Sequence, residues 1–281
     1  MKSGMPGVFG RPRIVVSECL ELAEVRYNGE RIASPFVRQL SDHVDLVPVC
    51  PEVGIGLGVP RDPIRLERQG DDVRLRQPST GRDLTDAMDG FGDGFLARLG
   101  SVDGFVLKSR SPSCGIGDVK LHGGSDDDKV VTVMSGRFAD AVLRRFPDVA
   151  AEDEVGLADS YRRHHWLTRV FTRATLREAV DSDGAGALRS FHAAYRLLLM
   201  AHDEAVAAEL ERLIGHVDGA SPEAARAYAR GVGRALRRSP APPRWRRMLE
   251  SWAREFGEDA PEVRRCQQPY PAALTVTVGR S

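Results

Sequence analysis

The first half of the chain alternates short β-branched runs with segments of helical period. Arg13-Ile14-Val15-Val16 has the length and composition of a buried strand, and it stops at Ser17-Glu18-Cys19. Residues 34–41 read as a helix. Residues 44–49 read as a second strand that runs straight into Cys50-Pro51-Glu52. A loop rich in glycine and proline (Gly54, Gly56, Gly58, Pro60, Pro63) precedes a hairpin pattern over 64–75 and a helix over about 84–99. The third strand, 104–108, leads into Ser109-Arg110-Ser111-Pro112-Ser113-Cys114-Gly115. Residues 141–146 read as one more helix, and 147–157, acidic and without apolar periodicity, mark a domain boundary. Strand, helix, strand, helix, strand predicts a mostly parallel sheet, in which ligands gather outside the carboxyl ends of the strands.

From Trp166 onward the period is helical throughout. Leu167, Val170, Phe171 and Ala174 repeat on one face, as do Leu188, Phe191, Tyr195 and Leu198, and further helices are expected over 203–217, 222–238 and 243–256. The predicted fold class is therefore α/β, a mostly parallel-sheet N-terminal domain over 1–160 followed by a smaller all-α C-terminal domain over 161–281. A chain of 281 residues has length for two cores.

Charge refines this division. Lys+Arg and Asp+Glu both total 40, so no global field draws the chain to nucleic acid or membrane. Within 161–250, however, 16 arginines and no lysines face ten acids, a local +6 that the rest of the chain offsets. No apolar stretch of signal-peptide length follows Met1, and no run approaches the ~20 apolar residues that span a bilayer, so a cytoplasmic protein is expected. Four widely separated cysteines in a reducing compartment read as thiols or metal ligands, not as disulfides.

Three of those cysteines, Cys19, Cys50 and Cys114, each follow an apolar strand, which predicts that they converge at one sheet edge. With 30 residues between the first pair and 63 between the second, they lack the close Cys-x-x-Cys pairs of structural zinc modules, and zinc is the weaker choice. Dispersed thiolates suit an iron–sulfur cluster, and three ligands for four irons leave one iron without a protein ligand. Glu52, two residues from Cys50, is a candidate general base, and Ser111 and Ser113 place hydroxyls beside Cys114. Cys266 is expected to be a spare thiol. The Arg26-Tyr27-Asn28-Gly29 turn and Arg61 offer cations and donors near the cysteine loops. The alternation Gly54-Ile55-Gly56-Leu57-Gly58 lacks the full dinucleotide pattern, and the histidines His164, His165, His192 and His202 form no metal pair by spacing.

Three ordered motifs carry a resemblance: Val16-Ser17-Glu18-Cys19-Leu20 with Val25-Arg26-Tyr27-Asn28-Gly29, then Val47-Pro48-Val49-Cys50-Pro51-Glu52-Val53 with Pro60-Arg61, then Leu107-Lys108-Ser109 with Ser111-Pro112-Ser113-Cys114-Gly115. Over about residues 11–145 the chain resembles the thiouracil desulfidase family. The resemblance implies a [4Fe-4S] cluster on Cys19, Cys50 and Cys114, with Glu52 and a serine of the last motif, Ser111 or Ser113, activating water. Phe191-His192-Ala193-Ala194-Tyr195-Arg196 and the residues up to His202 resemble the YbgA-type helical domain fused to tRNA 4-thiouridine desulfidases. That likeness implies 4-thiouridine in tRNA as substrate and an RNA-binding role for the helices. Free thiouracil or a thiouridine nucleotide is the alternative substrate. A metal-containing RNA-binding protein without activity, or a dehydratase with an open cluster iron, would share the same site.

Overall fold

The structure, a computed structural model, describes residues 9–124, 127–182, 185–215 and 222–275. The chain divides into two compact units, one of Arg13–Arg162 and one that joins Arg163 onward to the residues before Arg13.

The first unit is built on two sheets. Its parallel sheet contains β1 (Arg13–Ser17), β2 (Asp45–Val49), β6 (Gly104–Leu107) and β9 (Ala150–Asp153) in the order β2-β1-β6-β9. The second sheet contains β3 (Arg65–Gln69), β4 (Asp72–Gln77), β5 (Arg82–Asp83), β7 (Val119–Gly124) and β8 (Asp127–Met134) in the order β5-β4-β3-β7-β8, antiparallel except where β3 meets β7. Helices α1 (Pro35–Ser41), α2 (Pro51–Gly54), α3 (Thr85–Arg98) and α4 (Arg137–Arg145) complete it.

β1 explains why a continuous apolar run begins the sequence. It pairs with strands on both sides, and Ile14, Val15 and Val16 are all fully buried, as expected of a central parallel strand covered on both faces. Val15, Phe105 and Leu107 join Met88 and Leu96 of α3 and Phe138 and Val142 of α4 in one apolar cluster. Each fully buried large side chain of this kind contributes about 1.5–3 kcal/mol relative to exposure.

Register then fixes what leaves the sheet at its carboxyl edge. Ser17 pairs with Val49, so Cys50 and Cys19 emerge at nearly the same level. Val16 pairs with Val106 and Leu107 with Asp153, which brings the next residues, Lys108 and Glu154, out side by side.

Two expectations are corrected in this unit. The stretch 147–157 is not a boundary: Ala150–Asp153 is the fourth parallel strand, recruited by pairing with β6 although its own pattern is weak. Helix α4 begins at Arg137, four residues earlier than its apolar residues suggest, because distant carbonyls cap it, as described below.

The second unit is helical, with α5 (Ser160–Asp181, its first turn within the first unit), α6 (Ala185–His202), α7 (Glu204–Gly215), α8 (Pro222–Ala235), α9 (Pro242–Phe256) and α10 (Pro261–Gln267). Residues 216 and 217, the expected end of the 203–217 helix, lie outside the described residues, and α10 had no counterpart in the sequence reading. Leu188, Phe191, Tyr195, Leu198, Leu210, Tyr228 and Trp252 form its apolar core. Among the described residues no helix is long and apolar enough to cross a membrane.

Candidate active site

Cys19, Cys50 and Cys114 line one cavity of ≈ 520 Å³ in the first unit, together with Glu52, Ser111, Ser17, Lys108 and Arg61. Three chain segments deliver the thiols. Cys19 lies just beyond β1, where Leu20 N donates to Ser17 O at 2.8 Å and Ile32 N donates to Cys19 O at 2.8 Å. Cys50 is the residue between β2 and the single turn α2, which Pro51 starts without sacrificing a needed donor. Cys114 sits on the loop after β6, within hydrogen-bond reach of Ser17 at the end of β1.

That last loop is held from several directions. Ser111 Oγ accepts from the amides of Ser113 at 3.2 Å and Cys114 at 3.1 Å. The loop also caps α4: Arg137 N donates to Pro112 O at 3.1 Å and Ala139 N to Ser113 O at 3.0 Å, satisfying amides that a helix start leaves open. This approach requires glycine at 136, where a Cβ would lie 2.6 Å from both the carbonyl carbon and the oxygen of Ser113.

Glu52 is buried, and its two carboxylate oxygens face different partners. Ser111 Oγ donates to Oε1 at 3.3 Å, and the Cys50 thiol stands 3.5 Å from Oε2. The cavity therefore contains a carboxylate, a hydroxyl that orients it and a thiol in contact. Arg61 borders this side, its Nη1 donating to Val25 O at 3.0 Å and Gly58 O at 3.2 Å and its Nη2 4.0 Å from Cys50 Sγ.

The thiols resist ionisation. Burial, then the charges of Glu52 and Cys50, push Cys19 up to about 12. Burial and Glu52 push Cys50 up to about 11. Burial, then Glu52, hold Cys114 well above the usual thiol range, against a hydrogen bond from Ser17 that lowers it. Lys108 opposes the effect at Cys19, and Arg61 opposes it at Cys50.

Of the residues singled out from sequence, Cys19, Cys50, Cys114, Glu52, Ser111, Arg26, Tyr27 and Arg61 line the cavity. Ser113 does not; it is fully buried and its Oγ has no hydrogen-bond partner. Asn28 shapes its own turn instead, its amide donating to Glu30 at 2.6 Å. Gly54, in the rejected glycine alternation, packs against Phe91. Cys266 lies in the apolar core of the helical unit, fully buried.

The sequence reading overlooked Ser17, Lys108, Arg65, Lys120 and His122 on the cavity wall and Glu154 behind it. Strand alternation carried a signal for the pair Lys120 and His122, which share one face of β7. For Glu154 there was none, since its partner Lys108 is 46 residues away.

A model of the 2-thiouracil desulfurase family matches residues 14–154, half of the chain, and this protein belongs to that family. Uncharacterized protein YbbK of Bacillus subtilis (strain 168) is 34% identical over 126 residues, which cover 42% of this chain and 82% of that relative. The solved structure of the [4Fe-4S]-dependent thiouracil desulfidase TudS aligns at 30% identity over 53% of this chain and 94% of its own, with a TM-score of 0.41.

Proposed function

We propose that this protein is a [4Fe-4S]-dependent, non-redox desulfidase of thiolated pyrimidines, with 4-thiouridine in tRNA as its substrate. The observation that carries this reading is the shared cavity of Cys19, Cys50 and Cys114 with the Glu52–Ser111 pair at its wall.

The donor set fits a cluster. Thiolates, not thiols, bind metal, and the buried Cys114 with the half-buried Cys19 and Cys50, whose ionisation Glu52 opposes, call for compensating positive charge among them. Among the described residues no three His, Cys, Asp or Glu side chains stand close enough to share one ion. Three thiols lining one cavity are a donor set for a cluster, which Cys19, Cys50 and Cys114 would hold. Bound there by three thiolates, it would supply one iron free of protein ligands, a Lewis acid for the thiocarbonyl sulfur.

The chain's own groups supply the rest. Glu52 takes a proton from water at its carboxylate while Ser111, donating to Oε1, keeps that carboxylate aimed into the cavity. The water oxygen adds to the thiocarbonyl carbon, the carbon–sulfur bond breaks, and a carbonyl and hydrosulfide result, with no net electron transfer.

The arginine-rich span 161–250, with its +6 charge, supports an RNA substrate, because phosphate contacts offset the few kcal/mol needed to unstack a base. Free thiouracil is the second reading, favoured by the family match. All four cysteines are free thiols, which suits the reducing cytoplasm. Anaerobically reconstituted protein is expected to bleach the 4-thiouridine absorbance of tRNA and release hydrosulfide. Unchanged tRNA beside turnover of 4-thiouracil would remove the RNA part alone; no turnover of either would remove the desulfidase.

A further inference from the structure

The cavity holds a second charged device besides the thiols and Glu52. Lys108 lines it, with its side chain 19% exposed, and its ammonium is fixed by Glu154 Oε1 at 2.6 Å and by Ser109 O at 2.7 Å. Glu154 is committed too, since its Oε2 accepts from Ser109 N at 2.8 Å and its side chain is 16% exposed. An ammonium has three donors, and these two acceptors leave one for a molecule in the cavity. Holding a lysine this firmly, at the cost of ordering a flexible side chain, is what a recognition group requires.

Its position says which part of a substrate it meets. β2 and β6 lie on opposite sides of β1, so the residues that follow them, Cys50-Pro51-Glu52 and Lys108, leave strands about 10 Å apart at the usual spacing of neighbouring strands. The backbones that carry the carboxylate and the ammonium thus leave the sheet on either side of β1, with Cys19 beyond the strand between them. A ring whose reacting carbon faces Glu52 presents its far edge to Lys108. In a 4-thiopyrimidine that edge runs from N1, which carries the ribose in a nucleoside, to the neighbouring 2-carbonyl, an acceptor that the reaction leaves in place. Arg61 is placed on the other wall: its Nη1 is held by Val25 O and Gly58 O, and its Nη2 lies 4.0 Å from Cys50 Sγ.

Resting on the desulfidase reading, we infer that Lys108, positioned by Glu154, is a specificity-determining residue that donates to the non-reacting ring carbonyl of the pyrimidine. A hydrogen bond to a charged donor is worth ~10- to 100-fold in affinity.

The test crosses protein with ligand. Equilibrium binding of uracil and of pyrimidin-4-one, which lacks the 2-carbonyl, is measured by calorimetry on the full reconstituted protein. Turnover of 4-thiouracil and of pyrimidine-4-thione is measured beside it. The parent is expected to prefer the carbonyl-bearing member of each pair by ~10- to 100-fold, chiefly through Kd and KM. Lys108→Met is expected to bring both ratios close to one at unchanged iron content. The paired variant Lys108→Met/Glu154→Gln, which leaves no unpartnered carboxylate, carries the test if the single variant does not fold. A parent without preference, or a variant that weakens both members equally, overturns the inference. If the binding preference holds while no thiopyrimidine is turned over, the carbonyl anchor stands and the desulfidase reading falls.

Discussion

Cys114 and Cys266 are both buried thiols, 3% and 0% exposed, yet the two units treat them in opposite ways. Cys114 lies on a loop at the edge of a parallel sheet, where it faces a cavity and receives a hydrogen bond from Ser17. Cys266 lies on α10 within the apolar core of the helical unit, where burial alone raises its pKa before any neighbouring charge contributes. Histidine makes the same point. His164 bonds Tyr270 Oη, His165 the carbonyl of Leu236, His202 the carbonyl of Leu198, and His192 both Tyr228 and Glu211. In the helical unit these histidines are satisfied internally, whereas at the sheet edge the three thiols line an open cavity. Residue type alone is thus a poor guide to chemistry, and the element that carries it decides.

The largest effect should come from the thiols. Alanine at Cys19, Cys50 or Cys114 is expected to abolish both iron retention and turnover, whereas Cys266→Ala should leave the iron content of purified protein intact and cost only the ~0.5–3 kcal/mol usual for a core truncation. Loss of iron from the Cys266 variant would break the contrast. Next, Glu52→Gln should lower kcat by roughly 10²–10⁴, the typical worth of a positioned general base, at unchanged iron content. Retained turnover would remove Glu52 from the mechanism.

A third expectation sharpens the helical side. His165 and His202 stack with ring centroids 5.9 Å apart, and burial first, then the charges of Arg169 and His164 on both and of His165 on His202, push both down to about 4. The unfolded chain binds their protons more tightly than the folded one. Stability is therefore complete above about pH 6.5 and declines as pH falls towards 4, by up to ~3 kcal/mol for either ring. Calorimetric unfolding between pH 7.5 and 4.5 should show this slope, and His202→Gln should flatten it. The smallest effect separates two serines. Ser111→Ala, which frees the Glu52 carboxylate, should reduce kcat by about tenfold, the worth of one hydrogen bond. Ser113→Ala should reduce it less, because its Oγ has no partner to lose.

How far the sequence reached follows the same division. The strands before Cys19 and Cys114 were legible because central parallel strands are apolar on both faces, the edge strand before Cys50 because of its apolar run Leu46-Val47-Pro48-Val49, and the helices after Trp166 because their period is sustained. β9 was not, since Ala150-Ala151-Glu152-Asp153 is a strand only through its pairing with β6. The β7–β8 hairpin was overlooked as well, its strands meeting across irregular registers. At the site, the thiols, Glu52 and Ser111 stood in motifs, while the pairing of Lys108 with Glu154 depends on two strands ending level with each other, which no local pattern encodes.

The contact of α4 with the cysteine loop has a thermodynamic corollary. Because the first amides of that helix are held by the carbonyls of Pro112 and Ser113, fraying the helix and loosening the Cys114 loop are a single opening event. Whatever clamps Cys114 should slow amide hydrogen exchange at Arg137 and Ala139, and a methyl group at position 136 should speed that exchange and weaken the clamp together.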